Sequence, residues 1–237
     1  MPGFRKTKDA SWADAFAAEA DGLEALRPHI RVPKVLDLGI KGGKAFILLE
    51  HLDLRGGGDY AALGRMLAAV HRQTGPGFGW ARDNYIGLSP QQNGWCEDWT
   101  EFWRTRRMRP QLELAKRNGF ELEEPGLELL GNHRPLPSLL HGDLWSGNAG
   151  FTADGPVVFD PAVYYGDRET DLAMTELFGG FPAQFYRAYN EVFPLPPGYE
   201  KRKQLYNLYH LLNHLNIFGG GYLAQVKATL RLLAGRL

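Results

Sequence analysis

The 237-residue sequence holds a single cysteine, Cys96, and no surplus of either charge. One thiol cannot build an intrachain disulfide framework or a cysteine-rich zinc site, and such usage fits a reducing cytosol, with Cys96 read as a half-buried small apolar residue. Twenty-seven Lys and Arg residues balance 27 Asp and Glu residues. No whole-protein field therefore draws the chain onto nucleic acid or an anionic membrane, and a small neutral or zwitterionic partner fits better. No apolar run approaches the roughly 18 residues a membrane-spanning helix needs. The start Met1-Pro2-Gly3-Phe4-Arg5-Lys6 lacks the apolar centre of a signal peptide. Repeats and low-complexity tracts are absent too. A cytoplasmic globular protein with one large domain or two lobes around a cleft is expected.

Periodicity and turn residues organise what is present. Ser11 precedes Phe16, Ala20, Leu23 and Leu26 on one face and Pro28 follows, which predicts an N-capped amphipathic helix. Two β-rich runs, Val35–Gly39 and Ala45–Leu49, flank Gly42-Gly43 and predict a hairpin. The stretch Arg55-Gly56-Gly57-Gly58 suits a connection, dividing the chain into regions 1–54 and 55–237. Beyond it, Asp59 caps a helix carrying Leu63, Leu67 and Val70, and a long helical segment runs from Trp99 to Asn118-Gly119. The Gly-, Pro- and Asn-rich stretch Gly75–Gly94 reads as a loop. Ser138–His141 and Pro156–Asp160 read as strands, and helices follow around Leu205–Leu215 and Leu223–Leu233.

Phosphoryl transfer requires a group to orient or deprotonate the attacking hydroxyl, oxygen ligands for magnesium, and cations for the phosphates. Asp143 stands two residues after His141 and five before Asn148, and Asp160 ends an apolar strand 12 residues later. That is the kinase catalytic-loop spacing of base and metal ligand, with a strand-end carboxylate to complete the oxygen set. Singly each residue would be an ordinary turn or capping residue. Recurring in order, they assign Asp143 as the base and Asn148 and Asp160 as metal ligands. His141 is read as structural, and Asp171 as a loop anchor on a helix rather than a ligand.

The segments Leu139–Asn148, Phe159–Ala162, Tyr165–Met174 and Tyr209–Tyr222 resemble the fructosamine (ketosamine) kinase family across nearly the whole chain. Asp83–Gly87 and Gln91–Trp95 add to the likeness. The resemblance implies an α+β, protein-kinase-like bilobal fold with a shortened β-rich amino-terminal lobe (1–54) and a mainly helical carboxy-terminal lobe (55–237). It implies ATP and Mg2+, with backbone groups of Glu50-His51-Leu52 at the adenine, and Lys6, paired to Glu19, at the phosphates. Lys8 is the rival lysine. The implied reaction is phosphorylation of the 3-hydroxyl of a ketosamine, small or protein-bound, as deglycation repair. Trp145 is placed to pack on the sugar or its amine, with core packing as its other use. His214 can approach from the carboxy-terminal helices or serve as a core or surface histidine.

The family pattern also carries two strands and a Gly-rich phosphate-covering loop ahead of the lysine strand, and the printed sequence contains no match to them. A start assigned too late, a shortened chain and a genuine lack of the loop would each produce this. As written, the chain is expected to bind ATP weakly and turn over slowly; normal kinase activity of the 237-residue chain would refute that expectation. The rival readings are an aminoglycoside- or choline-type phosphotransferase, a metal-dependent hydrolase, and a non-catalytic ligand-binding homologue.

Overall fold

The amino-terminal sheet is built around its most apolar strand. In the computed structural model, which describes residues 3–235, β1 (Gly3–Asp9) and β2 (Val35–Lys41) both pair antiparallel with β3 (Lys44–Glu50). Ala45, Phe46, Ile47 and Leu49 of β3 are buried. Gly42 and Gly43 close the β2–β3 turn at φ 58° and 73°, left-handed values that glycine reaches without a Cβ clash. Helix α1 (Ala13–Leu26) packs on this sheet through Phe16, Leu23 and Leu26. Ser11 is not its cap: it lies in a short 3-10 turn, Ala10–Trp12, and no side-chain cap bond forms at the start of α1. The chain leaves β1 and turns at once, so the tight turn takes the place of a free capping residue. The outer ends of the two expected regions, residues 1, 2, 236 and 237, lie outside the described residues.

After the glycine stretch comes α2 (Tyr60–His71), whose first turn is capped as the sequence predicts, Asp59 accepting from the Ala62 N–H at 2.8 Å. Gly56 and Gly57 face open space, whereas a Cβ on Gly58 would lie 2.3 Å from the Phe151 ring. The expected loop Gly75–Gly94 is more structured than its composition implies. It contains a hairpin of β4 (Asn84–Ile86) and β5 (Ser89–Gln91), and its Asn84 and Gln91 side chains bond the carbonyls of Val163 and Ala162. Buried amides replace apolar alternation here, which is why periodicity missed it. The long segment from Trp99 is also broken: α3 (Trp99–Phe102) and α4 (Arg109–Arg117) are joined by a π-helical stretch, Trp103–Met108.

The centre consists of short strands. β6 (Ser138–Leu140) is followed by β7 (Ala149–Thr152), β8 (Gly155–Val158) and β9 (Tyr164–Gly166), pairing β6 with β9 and β7 with β8. Neither β7 nor β9 was anticipated; each is too short to show alternation. Helices α5 (Glu169–Leu177), α6 (Ala183–Val192), α7 (Tyr199–Phe218) and α8 (Leu223–Leu233) complete the chain. One buried cluster runs from Phe16 and Ile47 through Val158 to Leu63, Leu67 and Phe185, and a second surrounds α7 with Trp99, Phe102 and Trp103. Central strands pinned between these clusters give the loops at their ends a rigid base.

Helices α2 and α6 touch backbone to side-chain position: a Cβ on Gly64 would stand 2.3 Å from the Phe185 carbonyl oxygen and 3.2 Å from the Tyr189 nitrogen. Gly64→Ala is expected to separate the helices and destabilise the fold by about 1–3 kcal/mol, read as a lower urea midpoint; an unchanged midpoint would show that the contact is not tight.

Candidate active site

The loop after β6 is held from behind by a single carboxylate. Asp171, buried in the first turn of α5, accepts from the backbone N–H of His141 at 2.7 Å, from that of Gly142 at 2.8 Å, and meets His71 Nε2 at 3.1 Å. Burial alone would raise its pKa, but the His71 bond and the charges and N–H groups facing it outweigh burial and hold it below the ordinary value. The His141 ring lies 3.1 Å from the Phe159 carbonyl and the Ala162 N–H bonds the His141 carbonyl at 2.8 Å, so the loop is fastened to the segment that carries Asp160. Both His141 and Asp171 thus anchor the loop, as the sequence indicates. Gly142 has φ 84°, and a Cβ there would lie 2.0 Å from the Ala162 carbonyl oxygen; only glycine fits.

That fastening presents Asp143 to the cleft. Asn148, at the end of a 3-10 turn over Ser146–Asn148, donates its amide to the Asp143 carbonyl at 2.8 Å and to its carboxylate at 3.2 Å. No hydrogen bond among the described residues uses Asn148 Oδ1, which leaves an oxygen of the kind a hard cation takes. Asp160 follows β8 at φ 56°, the one non-glycine with positive φ among the described residues, a conformation Asp tolerates better than most. Its carboxylate contacts the Lys6 ammonium, and Lys6 Nζ also lies 2.8 Å from Glu19 Oε1. Burial works against the Lys6 charge, but the Glu19 and Asp160 carboxylates prevail and raise its pKa. The four candidates Asp143, Asn148, Asp160 and Lys6 line one cleft with Glu19.

Two cavities meet there. One, of about 470 Å³, is lined by Lys6, Lys8, Trp12, Glu19, Asn84, Tyr85, Asp143, Trp145, Asn148, Asp160 and His214, among others. The second, of about 340 Å³, is lined by Phe4, Lys6, Pro33, Leu49, Glu50, His51, Leu52, Leu54, Phe159 and Asp160. The Glu50 carboxylate is already engaged, bonding Arg31 at 2.6 Å and the Lys34 N–H at 3.1 Å, so its side chain is structural and any ligand contact falls to the backbone. Lys8, the rival to Lys6, lies instead over the Trp12 ring, 3.8 Å from its centroid. Trp145 and His214 are brought together through Phe178, whose ring centroid is 6.3 Å from Trp145 and 4.6 Å from His214. Burial lowers the His214 pKa, leaving it a neutral ring within this aromatic rim. Phe178, Tyr222 and Tyr85 were missed, since no local spacing ties them to the loop; Phe218, four residues after His214, was the one with a helical signal.

A strand lysine paired to a helix glutamate, facing an Asp/Asn loop and a strand-end aspartate across a cleft, is the arrangement of a protein-kinase-like phosphotransferase. The chain belongs to the fructosamine kinase family, whose family model, described as Fructosamine kinase, matches residues 2–235. A protein of Synechocystis sp. named probable ketoamine kinase is 47% identical over 240 residues, covering 96% of this chain and 81% of that protein. The chloroplastic protein-ribulosamine 3-kinase of Arabidopsis thaliana is 43% identical over 235 residues, covering 92% and 72%. The crystal structure of a Haemophilus somnus protein assigned as a fructosamine-3-kinase superposes with TM-score 0.92 at 34% identity, covering 98% of this chain and 83% of that one. No helix among the described residues is long and apolar enough to cross a membrane.

Burial, followed by the charges of Asp160 and Asp171, pushes the Asp143 carboxyl up to about 7, with the Asn148 bond acting in the other direction. A carboxyl whose folded pKa exceeds its unfolded value stabilises the fold at low pH, and that contribution is lost as pH rises through the folded pKa. Asp143→Asn is therefore expected to be the more stable protein at about pH 8, by on the order of 1–2 kcal/mol after allowing for partial exposure. The difference should close below about pH 4. Urea unfolding of chelator-treated protein at both pH values checks this; a gap that does not change with pH would contradict it.

Proposed function

We propose that the protein transfers the terminal phosphoryl group of ATP to the 3-hydroxyl of a ketosamine, a fructosyl or ribulosyl sugar joined to an amine. The observation that carries this reading is the meeting of the two cavities at Lys6 and Asp160. The smaller one, walled by Leu49, Leu52, Leu54 and Phe159, suits a flat purine whose edge meets the backbone of Glu50-His51-Leu52, and ends at the cation and carboxylate that phosphates and magnesium require. The larger one holds Asp143 and has room for a sugar. Residues 1–54 are read as the ATP lobe and 55–237 as the helical lobe with the acceptor site. The ketosamine assignment is supported by the names of relatives at 43% and 47% identity, and the position of transfer by the 3-kinase designation of the Arabidopsis relative and of the Haemophilus structure at 34% identity.

In the reaction, the acceptor hydroxyl oxygen bonds to the γ-phosphorus while the bond from that phosphorus to the bridging oxygen of ADP breaks, and the hydroxyl proton passes to the Asp143 carboxylate. A carboxyl held near neutrality by its surroundings accepts that proton more readily than an ordinary one. Asn148 fixes the Asp143 carboxylate and, with Asp160, offers oxygens for magnesium. When bound there, magnesium neutralises phosphate charge. Lys6, fixed by Glu19, faces the phosphates, while Trp145 and His214 border the sugar and its amine. The product carries phosphate at carbon 3, beside the sugar carbonyl, a better leaving group than hydroxide; once a carbon-1 proton is lost to solvent as the enol forms, inorganic phosphate departs from carbon 3 and water hydrolyses the resulting imine, freeing the amine, which is deglycation repair. One free cysteine, Cys96, fits work in the reducing cytoplasm.

With ATP and Mg2+, phosphate transfer to fructosyl- or ribulosyl-amines is expected to exceed transfer to aminoglycosides or choline in a side-by-side panel. Asp143→Asn should lower kcat by about 10²–10⁴-fold with ATP still bound. Transfer to an aminoglycoside with none to any ketosamine would overturn the assignment.

A further inference from the structure

We propose that Lys8 recognises an anionic group on the amine portion of the acceptor, so that the site prefers ketosamines of amino acids, whose carboxylate stands beside the nitrogen. This deepens the ketosamine reading and rests on it. The larger cavity is charged by Lys6, Lys8, Glu19, Asp143 and Asp160. Lys6 is spoken for by Glu19 and Asp160. Lys8 takes part in no ion pair or hydrogen bond among the described residues; its ammonium lies over the face of Trp12 at 3.8 Å, where the charges of Lys6 and Glu19 also act on it. Among the described residues that line the cleft, it is a cation with no ion-pair partner. An ammonium in such a recess binds a carboxylate more strongly than one in open solvent, because less water competes and the bond is charge-assisted.

Position separates this cation from the nucleotide. Lys6 and Asp160 border both cavities, whereas Lys8 borders the larger one alone, beside Trp12, which packs against Tyr85 of the β4–β5 hairpin. Lys6 and Lys8 project from the same face of β1, and alternate strand residues are about 6.6 Å apart. From the reacting oxygen of a ketosamine, six bonds lead through carbons 3, 2 and 1, the nitrogen and the α-carbon to the carboxyl carbon, roughly 7 Å when extended. Asp143 and Lys8 line the one cavity, so an acceptor that fills it can present its 3-hydroxyl to the first and its carboxylate to the second. The ammonium is placed for this by Trp12, whose ring is in turn tilted against Tyr85 of β4 with 6.0 Å between centroids.

The test compares two acceptors of one shape and different charge, ribulosyl-glycine and ribulosyl-glycinamide, with ATP and Mg2+, using the full chain and its Lys8→Met and Lys8→Arg variants. The wild type is expected to favour the glycine adduct in kcat/KM by about tenfold. That ratio should collapse toward one in Lys8→Met and survive in Lys8→Arg, the loss appearing as a higher KM for the glycine adduct. Circular dichroism melting shows that each variant is folded. Equal kcat/KM for both adducts in the wild type, or a ratio unchanged in Lys8→Met, overturns the role of Lys8 and leaves the ketosamine reading standing. A Lys8→Met variant that raises the KM for ATP and slows both adducts alike reassigns Lys8 to the nucleotide phosphates, which also overturns it. Phosphate transfer to neither adduct by the wild type, with transfer to another acceptor class, overturns the ketosamine reading itself and this proposal with it.

Discussion

The buried carboxylate of Asp171 is the interaction on which the loop carrying Asp143 depends. It has left water entirely, a penalty that only strong partners offset, and it finds them in two adjacent backbone N–H groups and the ring of His71. Two N–H groups bound to one carboxylate fix the loop's direction at the residue before Asp143, and the Ala162 carbonyl beside Gly142 leaves no room for another path. His71 is held from its other nitrogen by the Tyr189 hydroxyl at 2.8 Å, so α2, α5 and α6 all converge on this one point. The hydrophobic clusters supply most of the folding free energy, but this polar knot decides where the cleft is.

The same construction, a side chain fixed by a second one that is itself fixed, recurs around the cleft. Asn148 steadies Asp143, Glu19 steadies Lys6, Trp12 steadies Lys8, and Phe178 sits between Trp145 and His214. Preorganisation of this kind is what phosphoryl transfer rewards, because there is little covalent chemistry for the protein to perform and much charge to be met in place. Glu50 shows the converse. Its carboxylate is spent on Arg31 and on the Lys34 N–H, tying the segment after α1 to the end of β3.

What could be read from the amino acids follows how local each device is. His141, Asp143, Asn148 and Asp160 lie within a 20-residue span, so their spacing alone carried the chemistry, and the Gly42-Gly43 turn and the Asp59 cap are likewise decided by neighbours in sequence. Lys6 and Glu19 came from family resemblance, since a strand residue and a helix residue 13 apart share no period. Strands β7 and β9 are three or four residues long and exist because of their partners, not their own propensity. The β4–β5 hairpin is held by buried amides that read as loop composition, and Ser11 has a capping residue's identity in a place where the chain turns too sharply to use it. Contacts such as Phe178 on His214, between helices separated by a third, leave no trace in periodicity.

The π-helical stretch between α3 and α4 amounts to one residue inserted into an otherwise regular helix. Within it Arg107 is turned inward, stacked 4.0 Å from the Tyr164 ring centroid, and bonds the Gln92 carbonyl at 2.5 Å and Asn93 at 2.8 Å. Asn93 passes the constraint to Asn84, which lines the larger cavity. Deleting one of residues 104–106 would turn α3 against Arg107 by about 100°, so the buried packing of Trp99 and Phe102 and the inward setting of Arg107 could not both be kept. The length of this buried segment is thus coupled, through Arg107, Asn93 and Asn84, to the wall of the cavity that holds Asp143.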